Sequence, residues 1–409
     1  MAGPVHVESP ARPSPGGSGR ELHAVTLPPG PELFRAVAAA LGGSGPAGGG
    51  GPATGPALLP LPSGLPAPAL RATLEALRPA RLDGRPLPGG EDVPPEVAVV
   101  IATSGTTGVP KGVQLSAAAL RASAAASLSR LGARPGERWL CCLPPSHVSG
   151  LQVLVRSLLG GTEPVVHPGF DPRAVLGSGA EHVSLVPTQL RRLLDVSADL
   201  SVFRTILLGG AAAPAGLLAG ARAAGARVVT TYGMSETCGG CVYDGRPLDN
   251  VDLLIGGDGR IRLAGPVLFS GYRLRPDLTA AARDGDWFVT SDLGTLDGGR
   301  LRVLGRADDV INTGGEKVVA AAVSAVVAEH PAVADAAVVG RPDPEWGERV
   351  VAVVVSPAPP SLGELRAFVK ERLPAYAAPA ELVVLPEIPL LPNGKPDLAA
   401  LRHGLRREP

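Results

Sequence analysis

The sequence predicts an α/β protein: a large N-terminal domain of layered α/β subdomains plus a small β-rich subdomain, followed by a small α+β C-terminal domain. Three observations carry this expectation. Apolar runs of strand length alternate with helical patterns from about residue 97 to about 233, which favours α/β layers with largely parallel strands. The texture changes between about 250 and 305 to short strands and turns, as in "DLLIGGDGRIRLAG". The last hundred residues then return to a mixture of helices and strands.

Taken in order, residues 1–96 read as a short, partly flexible lead-in to an N-terminal domain ending near 305. "GGSGPAGGGGPATGPA" at 42–57 has the composition of a loop or linker. Short amphipathic helices fit 31–41 and 68–78. "EVAVVIATSG" is a buried strand running into a glycine loop, and "AAALRASAAASLSRLG" is a helix closed by glycine. The alternation continues through "RWLCCLP", a helix near 150–159, "EPVVHP", "HVSLVP", "TQLRRLLD", "TILLGG", "PAGLLAGARAAG" and "ARVVTTYG". Glycine-rich turns recur where strands end, which is where ligands bind in open α/β sheets. A boundary is expected near 306–309, before a C-terminal domain over 309–409. That domain holds helices at 319–329 and 361–372 and strands "ADAAVVG", "RVVAVVVS" and "ELVVLP".

Composition narrows the function. The 409 residues carry 38 basic and 38 acidic side chains. A neutral chain without like-charge blocks gives no reason to expect nucleic acid as a partner. No apolar run reaches the ~20 residues that span a bilayer, and the N-terminus has no secretory h-region. A cytoplasmic protein is therefore expected. Cys141, Cys142, Cys238 and Cys241 do not have zinc-finger spacing and are expected to be buried, reduced thiols, although "CGGC" at 238–241 also has the form of a redox pair. Only four of the basic residues are lysines: Lys111, Lys317, Lys370 and Lys395. A lysine kept in so arginine-rich a chain hints at a need for a compact point charge.

"TSGTTGVPKG" at 103–112 has the parts of an oligophosphate loop. Its glycines allow close backbone approach, its hydroxyls donate, and its lysine adds a cation. It is not a Walker A loop, because Pro110 and Gly112 flank Lys111 where Gly and Ser/Thr would stand. Further stretches follow in order: "LLGGAAAP" at 207–214, "YGMSET" at 232–237, "TSDLG" with Asp292, "LGRADDVINTGGEKV" at 304–318, and "LPNGKPD" at 391–397.

These six ordered stretches resemble the adenylate-forming superfamily of acyl- and aryl-CoA ligases, peptide-synthetase adenylation domains and luciferases, over residues 97–399. The resemblance implies ATP with Mg²⁺, a carboxylic acid and coenzyme A as co-substrate. It implies that Thr103, Ser104, Gly105, Thr106, Thr107, Gly108 and Lys111 hold the pyrophosphate of ATP. Gly209, Gly210 and Ala211 with Tyr232 would sandwich adenine, with Gly233 and Ser235 alongside. Glu236 would bind Mg²⁺, and Asp292 with Arg306 would bind the ribose. Lys395 would reach the α-phosphate, His147 would gate the acid, and Asp308 would be the hinge of a mobile C-terminal domain. In the second pose Gly314 and Gly315 would make room for the pantetheine arm.

"LPPSHVSGL" at 143–151 and "HVSLVPTQLRRLL" at 182–194 resemble the o-succinylbenzoate–CoA ligases of menaquinone biosynthesis. That acid has two carboxylates. Arg192 is the candidate partner for the second, with Arg191 next and with Ser149, Gly150 and Thr188 lining the pocket; a solvated helix face is the competing reading of the arginines. The chain departs from the superfamily in its short N-terminal region, in Ser291 where relatives have glycine, and in lacking the Pro-x-Glu after "GGEKV". Another aryl- or fatty-acyl-CoA ligase, a stand-alone carrier-protein-loading enzyme and a catalytically silent binding protein remain the alternatives. Oligomerisation is left open.

Overall fold

The computed structural model describes residues 19–42, 55–104, 109–390 and 396–404. Two seven-stranded sheets build most of the N-terminal part. The first takes strands Leu22–Val25, Ala57–Pro60, Arg81–Leu82, Arg85–Pro86, Val97–Ser104, Pro110–Ser116 and Gly271–Tyr272. The second takes Trp139–Cys141, Val165–Val166, His182–Leu185, Thr205–Leu208, Val228–Met234, Gly239–Tyr243 and Arg246–Pro247. The first sheet has a parallel centre with antiparallel margins on both sides, whereas the second is parallel except for one antiparallel margin, as largely parallel strands would give. In the second sheet Val228–Met234 is the last parallel strand, and Gly239–Tyr243 turns back against it.

Within the region expected as a short, partly flexible lead-in, the described residues carry regular structure. Four of the first sheet's strands lie between 22 and 86, and Leu58 pairs with Val99 of the strand before the phosphate loop. Strands of two to four residues flanked by Pro and Gly carry no readable alternation, so their partners define them. Two buried arginines tie this region down. Arg20 donates to the carbonyls of Ala40, Gly55, Pro56 and Val97. Arg273 donates to those of Leu77, Arg78, Glu91 and Asp92.

Helices Ala117–Leu131 and Val148–Leu159 pack together between the sheets. Ser116 caps the first by accepting from the Ala119 amide, and Gly132 ends it at φ 63°. The core around them joins both sheets to residues of the β-rich part, Ile261, Leu263 and Phe288. That part is a separate five-stranded sheet running from Asp252–Ile255 to Arg300–Arg306. A fourth sheet, with Val310–Thr313, Glu316–Val319, Asp335–Asp343, Gly347–Val355 and Glu381–Val384, forms the C-terminal domain around its own core. All four cysteines are buried and unpaired, and burial pushes Cys141 up to about 12. No described helix is long and apolar enough to cross a membrane.

A charged chain crosses the second sheet. The Arg156 guanidinium lies 4.3 Å from the Trp139 ring, Trp139 stacks on His182 at 4.7 Å, and His182 Nε2 is 3.0 Å from Glu137. Burial alone would raise the Glu137 carboxyl. Bonds from the Arg134 amide, His182 and the Arg134 and Arg204 guanidinia instead bring it from 4.5 to about 2. A carboxylate so depressed contributes stability above its unfolded value of about 4.3, and that contribution is lost as pH falls toward 2. The melting temperature of wild type is expected to exceed that of Glu137→Gln at neutral pH, and the gap to close between about pH 4.5 and pH 2. A gap independent of pH would contradict this.

Candidate active site

The functional residues gather at the carboxyl ends of the parallel strands, where an open α/β sheet presents its crevice. The phosphate loop joins two paired strands, with Thr103 opposite Lys111 and Ser104 opposite Pro110. Lys111 therefore sits on a strand, as its flanking residues require, and not in a helix N-terminal cradle. Thr103 Oγ1 donates to the Lys111 carbonyl at 3.3 Å. Gly105, Thr106, Thr107, Gly108, Lys395 and the Ser104 side chain lie outside the described residues.

The next groups come from the second sheet. Gly209, Gly210 and Ala211 follow strand Thr205–Leu208, and Tyr232 and Gly233 end Val228–Met234. Ala211, Ala212, Ala213, Thr230, Thr231 and Tyr232 line a cavity of about 160 Å³. The Tyr232 hydroxyl donates to Asp292 Oδ2 at 2.8 Å, and burial together with that carboxylate raises the phenol's pKa. Asp292 and Arg306 are cross-strand partners, with Arg306 Nη1 3.8 Å from Asp292 Oδ1. Arg306 also reaches Asp308 Oδ2 at 2.9 Å, within the short turn Ala307–Asp309. Asp292 is thus held from two sides, and only Arg306 had been expected at it.

Ser235 opens the turn Ser235–Thr237 that carries Glu236, which is half-buried. Sequence reasoning missed its partner. Tyr272 donates its hydroxyl to Glu236 Oε1 at 2.8 Å, and Lys111 Nζ lies 5.9 Å from the Tyr272 ring centroid. Among the described residues Glu236 Oε2 has no hydrogen-bond partner. A lone carboxylate beside the phosphate hairpin fits Mg²⁺, which takes few protein ligands and shares phosphate oxygens.

The acid-side residues divide. His147 precedes helix Val148–Leu159, is exposed, and has its imidazole pKa lowered by desolvation from the surrounding protein. Ser149 and Thr188 are exposed. Gly150 is buried, and a Cβ there would lie 2.4 Å from the Pro144 carbonyl oxygen, so helix packing already explains it. Arg192 is exposed with its guanidinium 5.2 Å from the Phe170 ring, and Arg191 is exposed beside it. Arg156 had not been singled out. It is 6 % exposed, donates to Ser184 Oγ at 3.0 Å, and leaves Nε without a partner. Desolvation lowers its pKa. In the C-terminal domain Gly314 and Gly315 form a hairpin turn at φ 57° and 83°. A Cβ on Gly314 would lie 2.5 Å from the exposed Trp346 ring, so only glycine lets the two meet.

Comparison with known proteins agrees with this geometry. Residues 61–272 match the AMP-binding enzyme family, and residues 322–395 match the AMP-binding enzyme C-terminal domain. The probable 2-succinylbenzoate–CoA ligase of Mycobacterium tuberculosis (strain H37Rv) is 49% identical over 332 residues, covering 76% of this chain and 85% of that protein. The o-succinylbenzoate CoA synthetase (MenE) of Bacillus subtilis in complex with the acyl-adenylate intermediate superposes with a TM-score of 0.79 at 31% identity, over 93% of this chain and 88% of the other. The same enzyme in complex with ATP and magnesium ion matches at TM-score 0.79 and 31% identity, over 93% and 89%. The chain belongs to the AMP-binding, adenylate-forming enzyme family, on the branch shared with the 2-succinylbenzoate–CoA ligases.

Proposed function

We propose that this protein converts o-succinylbenzoate to o-succinylbenzoyl-CoA in two half-reactions, with ATP, Mg²⁺ and coenzyme A. The observation that carries the reading is a pair of carboxylates at the strand ends, Asp292 and Glu236, each fixed by a tyrosine hydroxyl at 2.8 Å. Asp292 is set to accept from the ribose hydroxyls beside the adenine-sized cavity. Glu236 is set to hold Mg²⁺ near the phosphate hairpin, where the cation would offset charge on the phosphates. The acid's carboxylate attacks the α-phosphorus and expels pyrophosphate, giving acyl-adenylate. The thiol then attacks the acyl carbon, AMP leaves, and the thiol proton is released. We assign the second step to a pose in which the C-terminal domain, turning at Asp308, brings Gly314, Gly315 and Trp346 to the thiol's pantetheine arm.

For the second carboxylate of the acid, Arg156 competes with Arg192. A buried guanidinium with an orphaned N–H needs an anion far more than one already solvated on a helix face. Arg156→Met is expected to raise KM for o-succinylbenzoate about tenfold or more, while leaving KM for the analogue without the ring carboxylate nearly unchanged. If Arg192→Ala gives that split instead, Arg192 is the partner. ATP–pyrophosphate exchange over a panel of acids tests the function itself. Exchange specific to o-succinylbenzoate is expected; preference for a fatty acid would indicate a different ligase, and no exchange with any acid a binding protein.

A further inference from the structure

The segment 269–273 bridges both halves of the phosphate site. The Phe269 amide donates to the Glu236 carbonyl at 2.8 Å, and the amides of Ser270 and Arg273 donate to the carbonyls of Gln114 and Gly112 at 2.8 Å. Strand Gly271–Tyr272 pairs with the strand that begins at Pro110 and carries Lys111. Tyr272 is half-buried and held at several points. Its amide donates to Thr279 Oγ1 at 2.9 Å, its ring meets Phe269 edge-on at 4.9 Å, and the next residue is the buried Arg273. The backbone at Gly112 is equally tight, since a Cβ there would lie 2.7 Å from Leu77 and 2.9 Å from Val100. From this fixed post the Tyr272 hydroxyl reaches Glu236 Oε1 and its ring face reaches the Lys111 ammonium.

We propose that Tyr272 is a positioning residue of the metal–phosphate site, orienting the Glu236 carboxylate for Mg²⁺ and holding Lys111 beside it. This rests on the reading of Glu236 as the carboxylate for Mg²⁺. The bond to Oε1 leaves Oε2 as the oxygen turned to the cation, so the carboxylate needs no reorientation when the metal and nucleotide arrive. Partners of this kind, one step removed from a metal, typically change its affinity 10–100-fold when removed. The lysine contact adds a weaker attraction, at the outer edge of cation–π range.

The test is ATP binding by calorimetry on the full chain, without acid or coenzyme A, as Mg²⁺ is titrated. Tyr272→Phe keeps the ring and removes only the hydroxyl. It is expected to raise the Mg²⁺ concentration for half-maximal ATP binding about tenfold, with metal-free ATP affinity and apo melting temperature nearly unchanged. A merely structural tyrosine would move the melting temperature and not the Mg²⁺ dependence. Glu236→Gln is measured alongside. If Glu236→Gln shifts the Mg²⁺ dependence and Tyr272→Phe does not, the role of Tyr272 is overturned while the metal assignment stands. If Glu236→Gln leaves the dependence unshifted, the metal assignment falls and the proposal with it.

Discussion

Replacing Lys395 with alanine is expected to slow adenylate formation about 10²–10³-fold, the usual cost of removing one electrostatic stabiliser from a transition state. Thioester formation from pre-made acyl-adenylate should remain largely intact. The asymmetry follows from where charge gathers. In the first half-reaction two anions meet, and negative charge gathers on the α-phosphoryl oxygens as the acid's oxygen bonds to phosphorus. A compact ammonium is suited to that point, which agrees with lysine surviving at 395 in a chain that uses arginine nearly everywhere else. In the second half-reaction the leaving AMP is already a good leaving group, and the attacking atom is a thiol sulfur. Lys395 itself lies outside the described residues, but the described residues that flank the stretch 391–395, Leu390 and Pro396, pair as an antiparallel bridge. Pyrophosphate exchange reads the first half-reaction, and conversion of synthetic acyl-adenylate with coenzyme A reads the second. Equal loss of both would contradict a C-terminal domain that exchanges one group for another at a single site.

The residues legible in the sequence were those whose chemistry is local. A glycine loop after an apolar run, a tyrosine near the end of a strand and an aspartate in a short polar stretch each carry their signal within ten residues. Tyr272 and Arg273 do not. "FSGYRLRPD" reads as an ordinary turn, and an arginine there reads as solvated surface. Their roles arise from partners 36 to 196 positions away, which no periodicity encodes. One signal is compositional: the chain has only four tyrosines, and two of them hold the site's carboxylates. Arg156 was hidden differently. It lies in the helical pattern after His147, where a charge is normally placed on the outer face, and only the packing of that helix between two sheets buries it. The short strands of the lead-in were hard to read because two run to only two residues and Ala57–Pro60 is buried on both faces, so alternation is absent or too brief to stand out.

Arg273→Ala should be among the most destabilising single substitutions in the N-terminal domain, costing about 3–5 kcal/mol. Arg273 is 2 % exposed and donates to four main-chain carbonyls from two separated stretches, 77–78 and 91–92. Its N–H groups are taken up by four main-chain carbonyls, and the nearby Glu91 and Asp92 carboxylates favour its charge. Truncation would take the guanidinium donor from the buried Leu77 carbonyl and from the part-buried carbonyls of Glu91 and Asp92, while the Arg78 carbonyl keeps the Glu91 amide; each carbonyl left unpaired costs about 1–3 kcal/mol before water or backbone movement compensates. Lysine should recover little, because an ammonium cannot fan out to four carbonyls as a planar guanidinium does. Arg78 is a control on the same stretch. Its exposed pair with Glu91 should be worth under about 1 kcal/mol, so Arg78→Ala, whose carbonyl still serves Arg273, should barely move the urea midpoint. A midpoint for Arg273→Ala within about 1 kcal/mol of wild type would mean that the lead-in strands hold their place without it. The expected result is the opposite: Arg273 ties residues 77–78 and 91–92, which flank the short strands of this region, to the segment beside the phosphate hairpin, so the Mg²⁺-dependent binding of ATP should weaken in Arg273→Ala even where the protein remains folded.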